Sequence, residues 1–249
     1  MKLLKLSLVS FVLASSLSAQ TITVAAAANL KYAITDIAKA FTAQTGIDVK
    51  IITGASGKLT QQIMSGAPYD AFLSADVEFP AKLAKGGYTT TPSQVYAYGS
   101  LVLWSDTGAN LSKGVEGLSD PAIKKVAIAN PKTAPYGLEA VNAMRFYKVD
   151  IAPKIVTAES ISQAATYVTT KAVDVGFLAK SIVLSPEMKN VGRWVEVDPK
   201  SHNIIDQAMV GLKNGTPENQ IAAKRFLKFI SSPKAVEILR ASGYTLPKL

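Results

Sequence analysis

Cysteine is absent from all 249 residues. That removes disulfides, thiolate metal sites, a cysteine nucleophile and a lipid-modified N-terminal cysteine together. Beyond the N-terminal segment no apolar run is long enough to span a bilayer, so the mature chain is expected not to be membrane-inserted. Dense Lys/Arg runs and basic residues interleaved with aromatics are also missing, which argues against a nucleic-acid groove. No Gly-x-Ser-x-Gly elbow is present to support a serine hydrolase. The lone histidine, His202, is too isolated for base or metal chemistry and reads as a hinge or surface residue. These gaps leave enzyme readings weak, and the chain is expected not to be an enzyme.

The first residues carry an address. Lys2 and Lys5 precede an apolar run from Leu6 to Leu13, and small residues follow from Ala14 to Ala19. This is the order of a secretory signal peptide, with an apolar run too short for a membrane helix. Residues 1–19 are therefore read as a signal peptide, and the small-residue rule is met best after Ser18. A secreted binding protein without a lipid anchor needs an outer membrane to stay near its transporter, so the expected compartment is the periplasm. The formal charge is +9, and setting aside Lys2 and Lys5 leaves +7. A mild positive field of that kind favours arriving anions.

The mature chain alternates short β-branched runs with helical patterns. Thr21 to Val24, Asp48 to Thr53 and Ala71 to Ser74 read as strands. Asn29 to Thr45, Ser56 to Met64 and Asp76 to Lys85 read as the helices between them. The rhythm restarts after Gly99-Ser100. Strands are expected at Leu101 to Trp104, Lys125 to Ala129, near Ile155 and at Val175 to Leu178, with helices at Gly137 to Lys148 and Ile161 to Thr170. The apolar run Ile204 to Leu212 leads to two closing helices that start at Thr216-Pro217 and Ser232-Pro233, each with a capping hydroxyl and proline in the first turn. The fold class is α/β, with two lobes that are each a mostly parallel sheet flanked by helices. The expected division is 20–98 with 204–249 for lobe I and 99–203 for lobe II, with a ligand cleft between them.

In such sheets ligands gather where strands end and helices begin. Four junctions are small and polar: Ala25 to Asn29, Gly54 to Lys58, Asn130 to Gly137, and Glu159-Ser160-Ile161. Each alone is ordinary capping, with Asn29 and Ser160 as natural caps. Together they place two helix starts in each lobe, whose free amides and positive dipole ends suit an anion. A fully ionised oxyanion only accepts hydrogen bonds, so neutral donors suffice. Gly54 to Leu59 is not a nucleotide loop, because Ile52 holds the leading glycine position and Leu59 stands where Ser or Thr is needed. Asp70, Asp76 and Glu78 are spaced for capping rather than for a metal.

The ordered set Thr23 to Leu30, Gly54 to Leu59, Ser65 to Asp70, Leu73 to Asp76, Asn130-Pro131, Pro135 to Gly137 and Ser232-Pro233 to Gly243-Tyr244 resembles the molybdate-binding proteins of bacterial ABC importers. The likeness covers the whole mature chain. It implies the type II periplasmic binding fold and closure on molybdate or tungstate, with an ABC permease as partner. The chain would act as a monomer, without a cofactor and without a bare metal cation. By position, the resemblance makes Asn29 and Ser56 ligands through side chain and backbone N–H, and Tyr136 and Ile161 ligands through backbone N–H. Ala28, Gly57 and Ser160 are further candidates. Some relatives carry a ligating tyrosine where this chain has Ala179, and others a threonine at Ala28, so two hydroxyl donors are missing here. Sulfate, phosphate or a small organic anion is the alternative ligand.

Overall fold

The structure is a computed structural model that describes residues 20–248. The expected signal segment, residues 1–19, lies outside the described residues. The chain runs β1 (Thr21–Ala27), a 3-10 turn (Ala28–Leu30), α1 (Lys31–Thr45), β2 (Asp48–Gly54), α2 (Ser56–Met64), β3 (Ala71–Leu73), α3 (Glu78–Lys85) and β4 (Gln94–Gly99). Then come β5 (Leu101–Ser105), β6 (Val126–Ala129), α4 (Pro135–Phe146), β7 (Ile155–Ala158), α5 (Ile161–Thr169), β8 (Val175–Ala179), α6 (Lys180–Val183) and β9 (Arg193–Glu196). β10 (Ile205–Gly211), α7 (Pro217–Ile230) and α8 (Pro233–Ala241) complete it.

The strands form two five-stranded sheets, ordered β2-β1-β3-β10-β4 and β7-β6-β8-β5-β9. In each, three neighbours are parallel and one strand is reversed: β10 in the first sheet and β5 in the second. Both reversed strands are the ones the chain enters on crossing between sheets. Those crossings lie side by side, since Ile205 pairs with Gly99. The second is tied to α4, where the Glu139 carboxylate accepts the Asn203 N–H at 2.8 Å. The result is two lobes joined at a double crossover.

Alternation along the strands buries both faces of the first sheet. Ile22, Val24 and Ala26 of β1 pack on one side with Ile34, Ile37 and Phe41 of α1. Ala25, Phe72 and Val210 face the other way, against Leu59 and Ile63 of α2. Phe41 meets Phe226 and Phe229 edge-on at 5.1 and 5.5 Å, the geometry that aromatic quadrupoles favour. The second lobe's core includes Trp104, Phe177 and Tyr136, and it continues across the gap to Ala27, Ala28, Ala55 and Ala75 of the first.

Several boundaries differ from expectation. The single helix expected over Asn29 to Thr45 is divided into the 3-10 turn and α1, and no side chain caps either start. Asn29 is therefore not a cap. The helix expected from Gly137 begins two residues earlier, because Pro135 needs no amide partner in a first turn. Strands β4 and β9 and the short helix α6 were not anticipated as elements. Ser160, Thr216 and Ser232 each accept from the amide three residues on, as capping predicts.

Candidate functional site

Parallel register brings the four junctions together. Ala27 at the end of β1 pairs with Gly54 at the end of β2, so Asn29 and Ser56 emerge side by side. Ala129 likewise pairs with Ala158, setting the start of α4 beside that of α5. Between the two pairs lies a hollow of about 10 Å³, room for roughly one water and far below the ~300–1,000 Å³ of pockets for drug-sized ligands. Asn29, Ser56, Tyr136 and Ile161 all line it, as does Ala28. Its other walls are Ala27, Gly54, Ala55, Ala75, Ala134 and Pro135, and no charged residue contributes. All of these but Ala75 lie in the small, polar junctions expected from the sequence, whose small residues let backbone approach a ligand.

Two further candidates serve other ends. The Gly57 N–H donates across the gap to the Thr133 carbonyl at 2.8 Å, so it is not free for a ligand. A Cβ there would stand 3.0 Å from Thr133 Cα, which is why the approach needs glycine. The Ser160 hydroxyl accepts the Gln163 N–H at 3.3 Å, and Ser160 does not line the hollow. Ala179 is fully buried at the end of β8 and does not line it either.

The donors on offer are mostly backbone. Ser56, Tyr136 and Ile161 sit in the first turns of α2, α4 and α5, where amides have no carbonyl one turn back. Those turns also carry the positive ends of the helix dipoles. Ser56 Oγ accepts the Ala75 N–H at 3.0 Å, which leaves its proton to donate elsewhere. The Ile161 side chain is buried in the second lobe's core, so only its backbone can serve a ligand. The Tyr136 hydroxyl points to the Gln207 amide at 3.2 Å.

Asn29 differs from the expectation of a side-chain donor. Its Nδ2 donates to Gln207 Oε1 and to Tyr244 Oη, both at 2.8 Å. Its Oδ1 is buried without a hydrogen-bond partner. The backbone carbonyl of Asn29 accepts from Ser181 Oγ at 2.9 Å and Tyr244 Oη at 3.0 Å. Burial pushes the Tyr96, Tyr136 and Tyr244 hydroxyls well up from their ordinary range, so all three stay protonated. Nearby, burial raises the Asp76 carboxyl to about 6, opposed by hydrogen bonds from Ser74 and the Phe79 N–H.

The lobes are drawn together around this hollow. Ser162 Oγ donates to the Ala28 carbonyl at 3.0 Å, and ion pairing joins Lys58 to Glu159. Tyr32 donates to Glu187 farther along the seam. Asn29, Ser56, Tyr136 and Ile161 are 2, 1, 1 and 4 % exposed. An ion can enter only if the lobes part. Among the described residues no group of three or more His, Asp or Glu is gathered as a cation site, and no helix is long and apolar enough to cross a membrane.

Known proteins share this fold. The family described as bacterial extracellular solute-binding protein matches residues 22–245. The molybdate-binding protein ModA of Rhodobacter capsulatus is 39 % identical over 236 residues, covering 93 % of this chain and 91 % of that protein. ModA of Azotobacter vinelandii is 37 % identical over 244 residues, covering 94 % and 93 %. The solved structure of the Azotobacter vinelandii periplasmic molybdate-binding protein superposes with a TM-score of 0.85 at 33 % identity, over 91 % of this chain and 100 % of that one.

Proposed function

The chain belongs to the family of bacterial extracellular solute-binding proteins, and on that premise we propose that it captures molybdate in the periplasm for an ABC importer. The observation that carries this reading is the small, uncharged hollow enclosed by helix starts from both lobes. Such a place suits a compact dianion that accepts hydrogen bonds and offers none. The names of the two relatives above supply the anion. Tungstate, with the same shape and charge, is expected to bind as well.

The anion docks first on the open lobe I, against Ser56 and Asn29. Lobe II, residues 99–203, then rotates on the double crossover toward 20–98 and 204–249 and adds the amides of Tyr136 and Ile161. Water leaves as the gap closes, which strengthens charge-assisted hydrogen bonds in a low-dielectric space. Nothing is transformed: the only histidine, His202, lies at the crossover with Nδ1 against the Asn203 carbonyl, away from Ser56. The closed monomer is what the permease recognises. The N-terminal residues 1–19 would direct export and be removed.

Calorimetric titration with molybdate, tungstate, sulfate and phosphate tests the reading, beside melting curves. Ligand at about a thousandfold its dissociation constant adds roughly 4 kcal/mol to stability. Absence of heat and of any melting shift with both molybdate and tungstate overturns it. One observation favours hydrogen phosphate instead: a partnerless Asn29 Oδ1 would accept the proton that such an anion carries.

A further inference from the structure

The partnerless Asn29 Oδ1 conflicts with a hollow that otherwise offers donors. Its surroundings show how the conflict resolves. Gln207 lies in β10 of the first lobe and is fully buried. Its Oε1 receives Asn29 Nδ2 at 2.8 Å and Tyr96 Oη at 3.1 Å, while its Nε2 donates to Tyr136 Oη of the second lobe at 3.2 Å. The two ends of an amide have nearly the same shape, so hydrogen bonds decide which way each one faces.

A concerted half-turn of both amides keeps every one of these distances and inverts the roles. Gln207 Nε2 then donates to Asn29 Oδ1 and to Tyr96 Oη, whose own proton goes to the Ser74 carbonyl at 2.9 Å. Tyr136 donates to Gln207 Oε1. Tyr244 donates to Asn29, at the carbonyl or at Oδ1. No acceptor is orphaned, and Asn29 Nδ2 takes the vacant direction.

We propose that Gln207 is a positioning residue: the Tyr136 hydroxyl, arriving with the second lobe, holds the Gln207 amide so that Asn29 presents a donor to the oxyanion. This rests on the oxyanion reading above and deepens it. Asn29 becomes the element that selects a fully ionised anion over a protonated one, and closure of the lobes sets it. In the reverse orientation the same site would offer an acceptor and lose that discrimination.

Two measurements test this. The first reads nuclear Overhauser contacts from the Gln207 side-chain amide protons in the wild-type protein, with and without molybdate. Contacts to the Tyr96 ring in the molybdate-loaded form are expected; contacts to the Tyr136 ring in that form overturn the proposal. The second is a double-mutant cycle with Gln207→Met and Asn29→Ala, read as molybdate and phosphate affinities. Gln207→Met should weaken molybdate about tenfold or more, narrow the molybdate-to-phosphate ratio, and have little further effect once Asn29 is alanine. Equal loss for both anions, or the same loss in the Asn29→Ala background, means that Gln207 serves packing alone and overturns the proposal. Failure of the wild type to bind molybdate would instead remove the oxyanion reading, and the contacts in the unloaded protein would still report how the amides face.

Discussion

Ser56→Ala separates what the serine does for the fold from what it does for the anion. Ser56 Oγ accepts the Ala75 N–H at 3.0 Å in a place where the serine is 1 % exposed. Removing Oγ leaves that amide buried without a partner, at a cost of about 1–3 kcal/mol. In a chain of this size each kcal/mol moves the melting temperature by roughly 2–4 °C, so the unliganded variant should melt lower by a few degrees or more. The hydroxyl proton has a separate role, donation to the anion. Hydrogen bonds to charged groups are worth about 1.5–3 kcal/mol, which corresponds to roughly a 10- to 150-fold rise in dissociation constant. The backbone N–H of residue 56 survives, so binding should weaken and not vanish. Calorimetry with molybdate and a melting curve without it read the two effects independently. A lowered melting temperature with affinity within about twofold of wild type would refute the ligand role of the hydroxyl, since only the Ala75 bond would then matter.

Three other perturbations probe closure and charge. Asp76, held up to about 6 by burial, keeps its proton to higher pH in the folded than in the unfolded chain. The stability it contributes is therefore complete below about pH 4 and is lost as pH rises through about 6. Asp76→Asn keeps an acceptor for Ser74 and the Phe79 N–H; it should stabilise the fold at pH 7.5 by at most about 3 kcal/mol, seen as a higher melting temperature whose slope between pH 4 and 7 is flatter, and an unchanged profile would refute this. Gly57→Ala places a methyl 2.8 Å from the flexible ring tip of Phe79 and 3.0 Å from Thr133 Cα on the opposite lobe. Overpacking of this kind costs about 1–3 kcal/mol, so molybdate affinity should fall while the unliganded melting curve barely moves; a large loss of stability without ligand would point to Phe79 crowding within lobe I. Lys58 and Glu159 pair across the mouth with side chains 44 and 57 % exposed. Lys58→Ala should raise the dissociation constant no more than about fivefold, with the difference disappearing in high salt; a larger or salt-insensitive effect would place Lys58 at the anion itself.

Local chemistry made the helix starts legible in the sequence. Ser160, Thr216-Pro217 and Ser232-Pro233 announce their helices because a cap and its amide lie three residues apart. Strand β9, Arg-Trp-Val-Glu, is too short and too charged at its ends to show a period, and its strand pairing is with the distant β5. β4 depends in the same way on β10, more than a hundred residues later. The site divides along the same line. Asn29, Ser56, Tyr136 and Ile161 could be placed at one hollow from strand-end rules and family likeness. That the Gly57 amide is taken by Thr133 could not be foreseen, because that contact exists only once the lobes are apposed; nor could it be foreseen that the Asn29 side chain meets a glutamine 178 residues away, which only the folding of lobe I brings about. The one local clue to the second was a glutamine inside the apolar run from Ile204 to Leu212.

A hollow without a single charged side chain can hold a dianion because the helices bring charge of their own. The start of a helix behaves as roughly half a positive charge, and α2, α4 and α5 all begin at this hollow. Three such ends sum to about +1.5, close to balancing molybdate or tungstate. Only α2 belongs to the first lobe. An open molecule therefore offers an arriving anion about a third of that charge, and the remainder comes with α4 and α5 as the lobes meet. The anion is what makes it favourable for three positive dipole ends to converge in a space from which water has been expelled. Without it, their mutual repulsion and unpartnered amides oppose closure. Binding and closing are thus one electrostatic event, and a fixed lysine or arginine in the hollow would weaken the coupling by attracting anions to the open form.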